Sequence, residues 1–475
     1  MKSSYGKWCK AICIAVFGVA LATSCKTVEK ARQAQKPESR RPGERTVTAV
    51  ELGLNAESTQ SLKELEDIAV RFAPGVIRAQ QAMASAQIAV REAGADNLPT
   101  ITASAGHTRS TKNNSPHHQK PNLEGSYSGN LSLNWTIWDF DRTNLAVKRA
   151  RENLRAAEQD LRNAESLAIY KVRTAFFELN RCMELDKVAA QAEEQYKEHL
   201  EQVKAKADVG KSTTYDQTKA EVDWHNAVLS HVTTSHNIQN AWGELYLALG
   251  LAEAPEFHLG KGRMTDYTLD LTALLKLAHE KEPELAALQA RAEAASLYVD
   301  RTIAELYPSL SLSLGASFSS RNLADFIWNL TGAASLAQTI FNGGSNLRHI
   351  EDAVVQLQSA RADVAAKEQE LFQQLRKAVL VAQRAEKQLE VATLTEKSSK
   401  LNLDIVNEQF KVGRASSVER TDAQVSHSEA QAAVVKAIYD RQDALAAIAY
   451  LTGDFELPGE PGKRFRENQQ DGKTE

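Results

Sequence analysis

The sequence predicts a mainly α chain with a small β part: long coiled-coil helical hairpins plus four antiparallel strands, the whole plan internally duplicated. Three observations predict it. Thr339-Ile340-Phe341-Asn342-Gly343-Gly344 joins a stretch of period-two alternation to one of heptad character, and Thr136-Ile137-Trp138-Asp139 makes the same junction 203 residues upstream. Within the first heptad stretch Val147, Ala150, Leu154, Ala157, Leu161, Ala164 and Ala168 recur at the spacing of a close-packed helical seam. Ahead of the first junction Ile101, Ala103 and Ala105, then Leu131, Leu133, Trp135 and Ile137, alternate as strands with one apolar face do.

The copy extends well beyond the junctions. At the same offset Val147, Ala150, Leu154, Ala157 and Leu161 become Ile350, Ala353, Leu357, Ala360 and Val364. Further on, Val209-Gly210 becomes Val412-Gly413, Asp216 becomes Glu419, and Gly250 becomes Gly453. Upstream the offset is 209, matching Pro74 to Pro283, Leu98-Pro99 to Tyr307-Pro308 and Gly106 to Gly315. Six residues are therefore lost between Gly106 and Thr136, and length changes collect in exposed loops. The glycine pair Gly343-Gly344, next to Phe341, suits a sharp strand-to-helix corner. The first junction departs, with Phe140 and Asp141 in their place.

Taken in order, Lys2, Lys7 and Lys10 precede an apolar run over 11–22, too short to span a bilayer, and Thr23-Ser24-Cys25 follows. This resembles a bacterial lipoprotein signal peptide over 1–24, with Cys25 as the lipidated first residue; Ala22 stands where that pattern prefers Leu. Its removal leaves Cys25 and Cys182, so no disulfide framework is implied. Residues 25–60, with Pro37 and Pro42, read as a tether. The first repeat, 61–250, starts with one helix over 61–96, stopped at Leu98-Pro99. Strands follow near 101–105 and 131–137, separated by a polar loop over 107–125 whose His107, His117 and His118 read as solvated rather than metal-bound. A helix over 142–207, on the order of 100 Å long at about 1.5 Å per residue, reaches a tip at Val209-Gly210-Lys211. Thr213 or Thr214 caps the return helix, which runs to about 249. A linker, 251–270, leads to the second repeat, 271–453: a helix, strands near 309–318 and 329–340, a helix over 345–411, a tip at Val412-Gly413-Arg414 and a return helix to about 451. The tail, 454–475, reads as disordered.

Net charge is −4 over 475 residues, so no basic surface points to nucleic acid. Charged residues at 25% and aromatics at 6% suit long solvated helices better than a compact enzyme core. There is no phosphate-binding glycine loop, nucleophile elbow, His-Glu-x-x-His or paired-cysteine spacing. No enzyme, cofactor or metal site is expected.

The duplicated plan, the Phe341-Asn342-Gly343-Gly344 junction and the paired Val-Gly tips resemble the TolC-type outer-membrane efflux protein family, over roughly 61–453. Leu285-Ala286-Ala287-Leu288 leading to Tyr307-Pro308-Ser309-Leu310 belongs to the same likeness. The resemblance implies a homotrimer, a hollow α-barrel crossing the periplasm and a shared twelve-stranded β-barrel among outer-membrane lipids. It implies a passive exit duct for efflux or type I secretion, served by an inner-membrane pump and a periplasmic adaptor (membrane fusion) protein that meets the tips. It also implies a periplasmic gate of Asp216, Glu419 and Asp422, with Phe410 helping to close the mouth. The same carboxylates suit helix starts, where they complement the dipole, and both roles can hold at once. The rival reading is a periplasmic coiled-coil scaffold without a pore, which has no need of the strands.

Overall fold

The computed structural model describes residues 59–112, 122–210, 212–251, 256–260, 262–321 and 327–455, together with Val28, Ala31 and Leu54. Within 1–53 the two described positions, Val28 and Ala31, are helical and exposed. All that follows concerns the unit Leu54–Glu475. The expected signal, most of the tether and the tail after Phe455 lie outside the described residues.

Each repeat begins with two helices where one was expected. Helix α1 (Leu62–Phe72) starts at Ser61, whose hydroxyl accepts from Glu64 N while Ser61 N donates to the Glu64 carboxylate at 2.7 Å. It stops at Ala73 (φ −61°, ψ 128°), and α2 (Pro74–Ala95) restarts with proline at its head. The second repeat breaks likewise at Glu282 (φ −68°, ψ 118°), between α5 (Leu271–Lys281) and α6 (Pro283–Ala304). The cause is steric: a proline ring disfavours helical angles in the residue before it, yet suits the first turn of the next helix.

Three strands of the sheet are longer than their apolar residues suggested, and the fourth, expected over 329–340, runs instead over Ile327–Ala337. β2 spans Thr100–Lys112 and β3 Asn122–Trp138, so the described residues of the expected loop, 107–112 and 122–125, are strand; His107 pairs with Tyr127 and stacks on its ring at 4.3 Å. His117 and His118 lie outside the described residues. In the second repeat β5 covers Ser309–Ser320 and β6 Ile327–Ala337. Nor are the two hairpins separate: β3 pairs with β5, giving one antiparallel sheet in the order β2-β3-β5-β6. Its register sorts the side chains by face, because directly opposed residues share a side. Ile101–Leu133, Leu131–Ala316, Phe318–Trp328 and Leu310–Leu336 pair on one side; Thr100–Asn134, Thr136–Ser311 and Ser311–Ser335 pair on the other. Hence one face is apolar and the other is hydroxyl and amide. The apolar face is open: Ile101 is 62% exposed, and Trp328, Leu330 and Leu336 are 70% or more. A further two-residue parallel pair, β1 (Thr59–Gln60) with β4 (His258–Leu259), ties the end of the expected tether to the linker.

Both strand-to-helix corners have the same backbone. Gly343 and Gly344 hold φ of 70° and 80°, as their composition invites, and Phe140 and Asp141 hold 54° and 63°. Phe140 is kept in this unfavourable region by stacking on Trp138 at 4.4 Å and Tyr307 at 5.2 Å. Asp139 Oδ2 then accepts from Thr143 N at 2.8 Å, as Asn342 Oδ1 accepts from Asn346 N at 3.4 Å. Trp135 Nε1 donates to Asn97 O at 3.0 Å; its counterpart Gln338 Nε2 donates to Leu306 O at 3.1 Å. The duplication thus conserves a hydrogen bond between positions whose residue types have diverged.

From these corners run α3 (Arg142–Asp208) and α7 (Ser345–Lys411), of 67 residues each, returning through α4 (Thr214–Leu249) and α8 (Ser417–Thr452), of 36 each. The return helices end at Gly250 (φ 76°) and Gly453 (φ 64°), each seated against its repeat's proline break. The repeats interleave: α3 packs on α2 and α4 of its own half and on α6 and α8 of the other. Leu161 and Ala168 of the predicted seam are buried, and Phe176, Phe177, Leu375 and Ile448 are almost wholly enclosed.

Candidate functional site

The two tips are turns of one design. After Val209 the chain turns at Gly210 (φ 71°), whose N donates to Ala207 O at 2.9 Å; after Val412 it turns at Gly413 (φ 75°), and Arg414 N donates to Gln409 O at 2.8 Å. Val209 and Val412 are 67% and 70% exposed, an apolar side chain at each turn. Arg414 is exposed; Lys211 lies outside the described residues, as does Cys25.

The carboxylates beyond the tips open the return helices. Asp216 Oδ2 accepts from Thr213 Oγ1 at 2.7 Å, Thr213 N at 3.1 Å and Ser212 Oγ at 3.3 Å. Glu419 Oε2 accepts from Ser416 N at 2.7 Å and Ser416 Oγ at 3.0 Å. Both are reciprocal capping boxes, so Thr213 rather than Thr214 is the first cap. These bonds favour the charged forms: the Thr213 hydroxyl and then its amide hold Asp216 below the usual carboxylate range, and the Ser416 amide and then its hydroxyl do so for Glu419. Asp422 is exposed, three residues on from Glu419.

Phe410 is placed differently from these acids. It is only 6% exposed and lies between the hairpins, with Lys206 Nζ 3.5 Å from its ring centroid, Arg420 Cζ at 5.4 Å and the His199 ring at 5.5 Å. Arg420 Nε donates to Asn407 Oδ1 at 2.8 Å, and Arg420 also bonds His199 Nδ1. An acceptor at Nδ1 puts the proton on Nε2, which meets Ser417 Oγ at 2.9 Å. Burial, then the charges of Arg420 and Lys206, push the His199 imidazole down to about 4. α3, α7 and α8 are clasped here near their ends; sequence reasoning singled out Phe410 but not its partners His199, Lys206 and Arg420. The available signal was a histidine and an arginine at otherwise seam-like helical positions, but their partners lie more than 200 residues away in sequence.

Among the described residues no group of three or more His, Cys, Asp or Glu is arranged to hold a metal ion, and no helix is long and apolar enough to cross a membrane, which says nothing of the sheet. The Cys182 thiol is pushed up to about 11, chiefly by burial, a setting that keeps it unreactive.

The sequence profile of the outer membrane efflux protein family matches residues 72–251 and 274–454, most of the chain and once per repeat. The chain belongs to the outer membrane efflux protein family. Among curated relatives of this efflux protein, the probable outer membrane lipoprotein SilC of Salmonella typhimurium is 22% identical over 360 residues, 73% of this chain and 76% of that protein. The outer membrane efflux protein BepC of Brucella suis is 24% identical over 427 residues, 83% of this chain and 91% of that one. The solved CmeC outer membrane channel of Campylobacter jejuni superposes with a TM-score of 0.73 at 18% identity, covering 92% of this chain and 98% of that one. The efflux protein thus shares its mainly helical, few-stranded fold with outer membrane channels, and its family is one of efflux proteins rather than enzymes.

Proposed function

We propose that this protein is the outer-membrane component of a tripartite efflux or type I secretion system, a passive exit duct assembled as a homotrimer. The observation that carries the reading is the sheet. Its apolar face is open, its opposite face is hydroxyl and amide, and outer strands β2 and β6 each have a single neighbour among the described residues. A bilayer tolerates strands only in a closed sheet, and four cannot close alone. Three copies give twelve strands, with the apolar face toward lipid and the polar face lining the passage. A coiled-coil scaffold has no use for such a sheet. The two repeats, taken as 61–250 and 271–453 and overlapped by the family matches at 72–251 and 274–454, supply a hairpin of strands and a hairpin of helices apiece.

Around a threefold axis Asp216, Glu419 and Asp422 each become three carboxylates at the periplasmic mouth, which Phe410, held by Lys206, Arg420 and His199, helps to close. Capping keeps Asp216 and Glu419 ionised, and a ring of charge in a narrow mouth concentrates cations. In planar bilayers the trimer is expected to be cation-selective. Glu419→Ala with Asp422→Ala should lower cation-over-anion permeability by up to about tenfold and weaken block by multivalent cations. Wild-type selectivity and block in the double variant would leave these groups only their structural roles.

The tips, Val209-Gly210-Lys211 and Val412-Gly413-Arg414, are proposed to meet the periplasmic adaptor, with the inner-membrane pump behind it. Nothing lies within 4 Å of a Cβ placed at Gly210 or Gly413, so a large side chain fits there at the cost of the left-handed backbone, about 1–2 kcal/mol. Gly210→Trp or Gly413→Trp should therefore keep the trimer and lose adaptor cross-linking and efflux. Normal efflux by both variants would rule the tips out as the docking site.

An N-terminal lipid on Cys25 would add anchorage to the same membrane, and the relative SilC is named a lipoprotein. Metabolic labelling with a fatty acid should mark the wild type and not Cys25→Ala. An unlabelled wild type removes the anchor from the reading.

A further inference from the structure

Where the polar face of the sheet meets the helices there is a recess of about 550 Å³ that none of the roles above uses. Arg142 from the first turn of α3 and Arg301 from the last turn of α6 line it, with Thr136, Ser311 and Ser313 along the sheet side. The Nε of each arginine is buried and has no hydrogen-bond partner. Arg142 spends one Nη2 hydrogen on Tyr307 O at 3.3 Å. Arg149, whose guanidinium lies 4.2 Å over the Tyr298 ring, feels the charge of Arg301 after the larger effect of its own burial.

Two acids line the recess without answering these cations. Asp139 is engaged by Thr143, whose amide and hydroxyl donate to its Oδ2 at 2.8 and 2.5 Å. Asp96 lies just past the end of α2, exposed and solvated. A buried donor left without an acceptor is costly, and most are met by protein, water or ligand. Two guanidiniums lining one recess beside hydroxyl donors suit the charge and hydrogen-bonding capacity of one ligand class, the oxyanion.

We propose that this recess binds the carboxylate or phosphate group of a soluble anion, held between Arg142 and Arg301 on the polar face of the sheet. On the duct reading, that face lines the passage, and each trimer carries three such stations between the helical barrel and the strands. The role as a waypoint for anionic cargo rests on that reading; the binding itself does not. The station also opposes the acids near the tips in sign, so an anionic solute drawn past the mouth meets attraction farther along.

The test uses inorganic pyrophosphate and the purified full chain in detergent. Titration calorimetry should show about one pyrophosphate per chain, with affinity at least about tenfold weaker in Arg301→Gln, the loss of one charge-assisted contact, and weaker again in Arg142→Gln/Arg301→Gln. Arg301→Gln leaves the Arg142–Tyr307 bond intact, and Arg301→Lys, which keeps charge but not the planar fork, should fall between. No binding by the wild type, or equal affinity in the variants, overturns the proposal. Phosphatidylglycerol added to the micelles should not displace pyrophosphate; competition would assign the site to a lipid headgroup and overturn the soluble anion. In planar bilayers pyrophosphate should depress the wild-type potassium current and not that of the double variant. Binding without channels would sink the duct and spare the site, whereas channels without binding would do the reverse.

Discussion

Gly453→Ala is expected to destabilise the fold by about 3 kcal/mol, from roughly 1–2 for a side chain in the left-handed region and a further 1–3 for overpacking. The reason is the seat of the α8 cap. At φ 64° the added methyl would lie 2.5 Å from Lys281 O and 2.8 Å from Lys281 C, both backbone atoms of the break before Pro283. Neither can swing aside as a side-chain end could. Gly250→Ala repeats the situation in the first half, 2.9 Å from Phe72 O and 3.0 Å from Pro74 Cδ, and should cost somewhat less. Gly413→Ala is the control: its φ of 75° is equally unfavourable, but nothing lies within 4 Å. Urea or thermal midpoints followed by helical circular dichroism should rank Gly453→Ala lowest, then Gly250→Ala, then Gly413→Ala. If Gly453→Ala and Gly413→Ala unfold alike, close packing of cap against break contributes nothing.

Acid should loosen the clasp near the tips. The folded His199 imidazole at about 4 lies below its ordinary 6.5, so between those values the unfolded chain carries a proton that the folded chain refuses. Stability then falls as pH drops from about 6.5 toward 4, by up to about 3 kcal/mol at roughly 1.4 per pH unit. The groups around the ring act in one direction: Arg420 and Lys206 both oppose a third positive charge, and Glu198 acts on Arg420 only. His199→Gln can still accept from Arg420 and donate to Ser417 but takes up no proton. Its unfolding midpoint should fall less steeply with acid than that of the wild type, the difference approaching one proton near pH 5. Identical slopes for the two proteins would show that His199 is charged in the fold or unfolds from its partners before it titrates.

Much of this architecture could be read because the chain states it twice. The starts of α3 and α7 at Arg142 and Ser345, and their ends near the Val-Gly tips, follow from aligned junctions whose periodicity changes abruptly. The breaks at Ala73 and Glu282 were available in the matched Pro74 and Pro283, but apolar periodicity continues across both and hides them. Strand lengths were under-read for a different reason. His107–Lys112 and Asn122–Gly125 hold one apolar residue between them, Leu123, so alternation of hydropathy cannot mark them, although the backbone pairing continues. The β1–β4 pair is two residues long and joins segments some 200 apart, and no local pattern announces it. At the candidate site the carboxylates were legible because capping boxes are local. Phe410 was named, but its grouping with His199 and Arg420 was not legible, nor was the Arg142–Arg301 recess, since each draws its members from helices brought together only by the fold.

The equal helices carry one more implication. With 67 and 36 residues in each half, neither hairpin has a length of its own to vary. Removing one heptad from both arms of a single hairpin draws its turn back by about 10 Å and shears His199 away from Arg420. Removing it from both hairpins leaves every inter-helix partner at the same level. Length in this protein is therefore inherited as a matched pair, and drift in one half is tolerable only when the other half drifts with it.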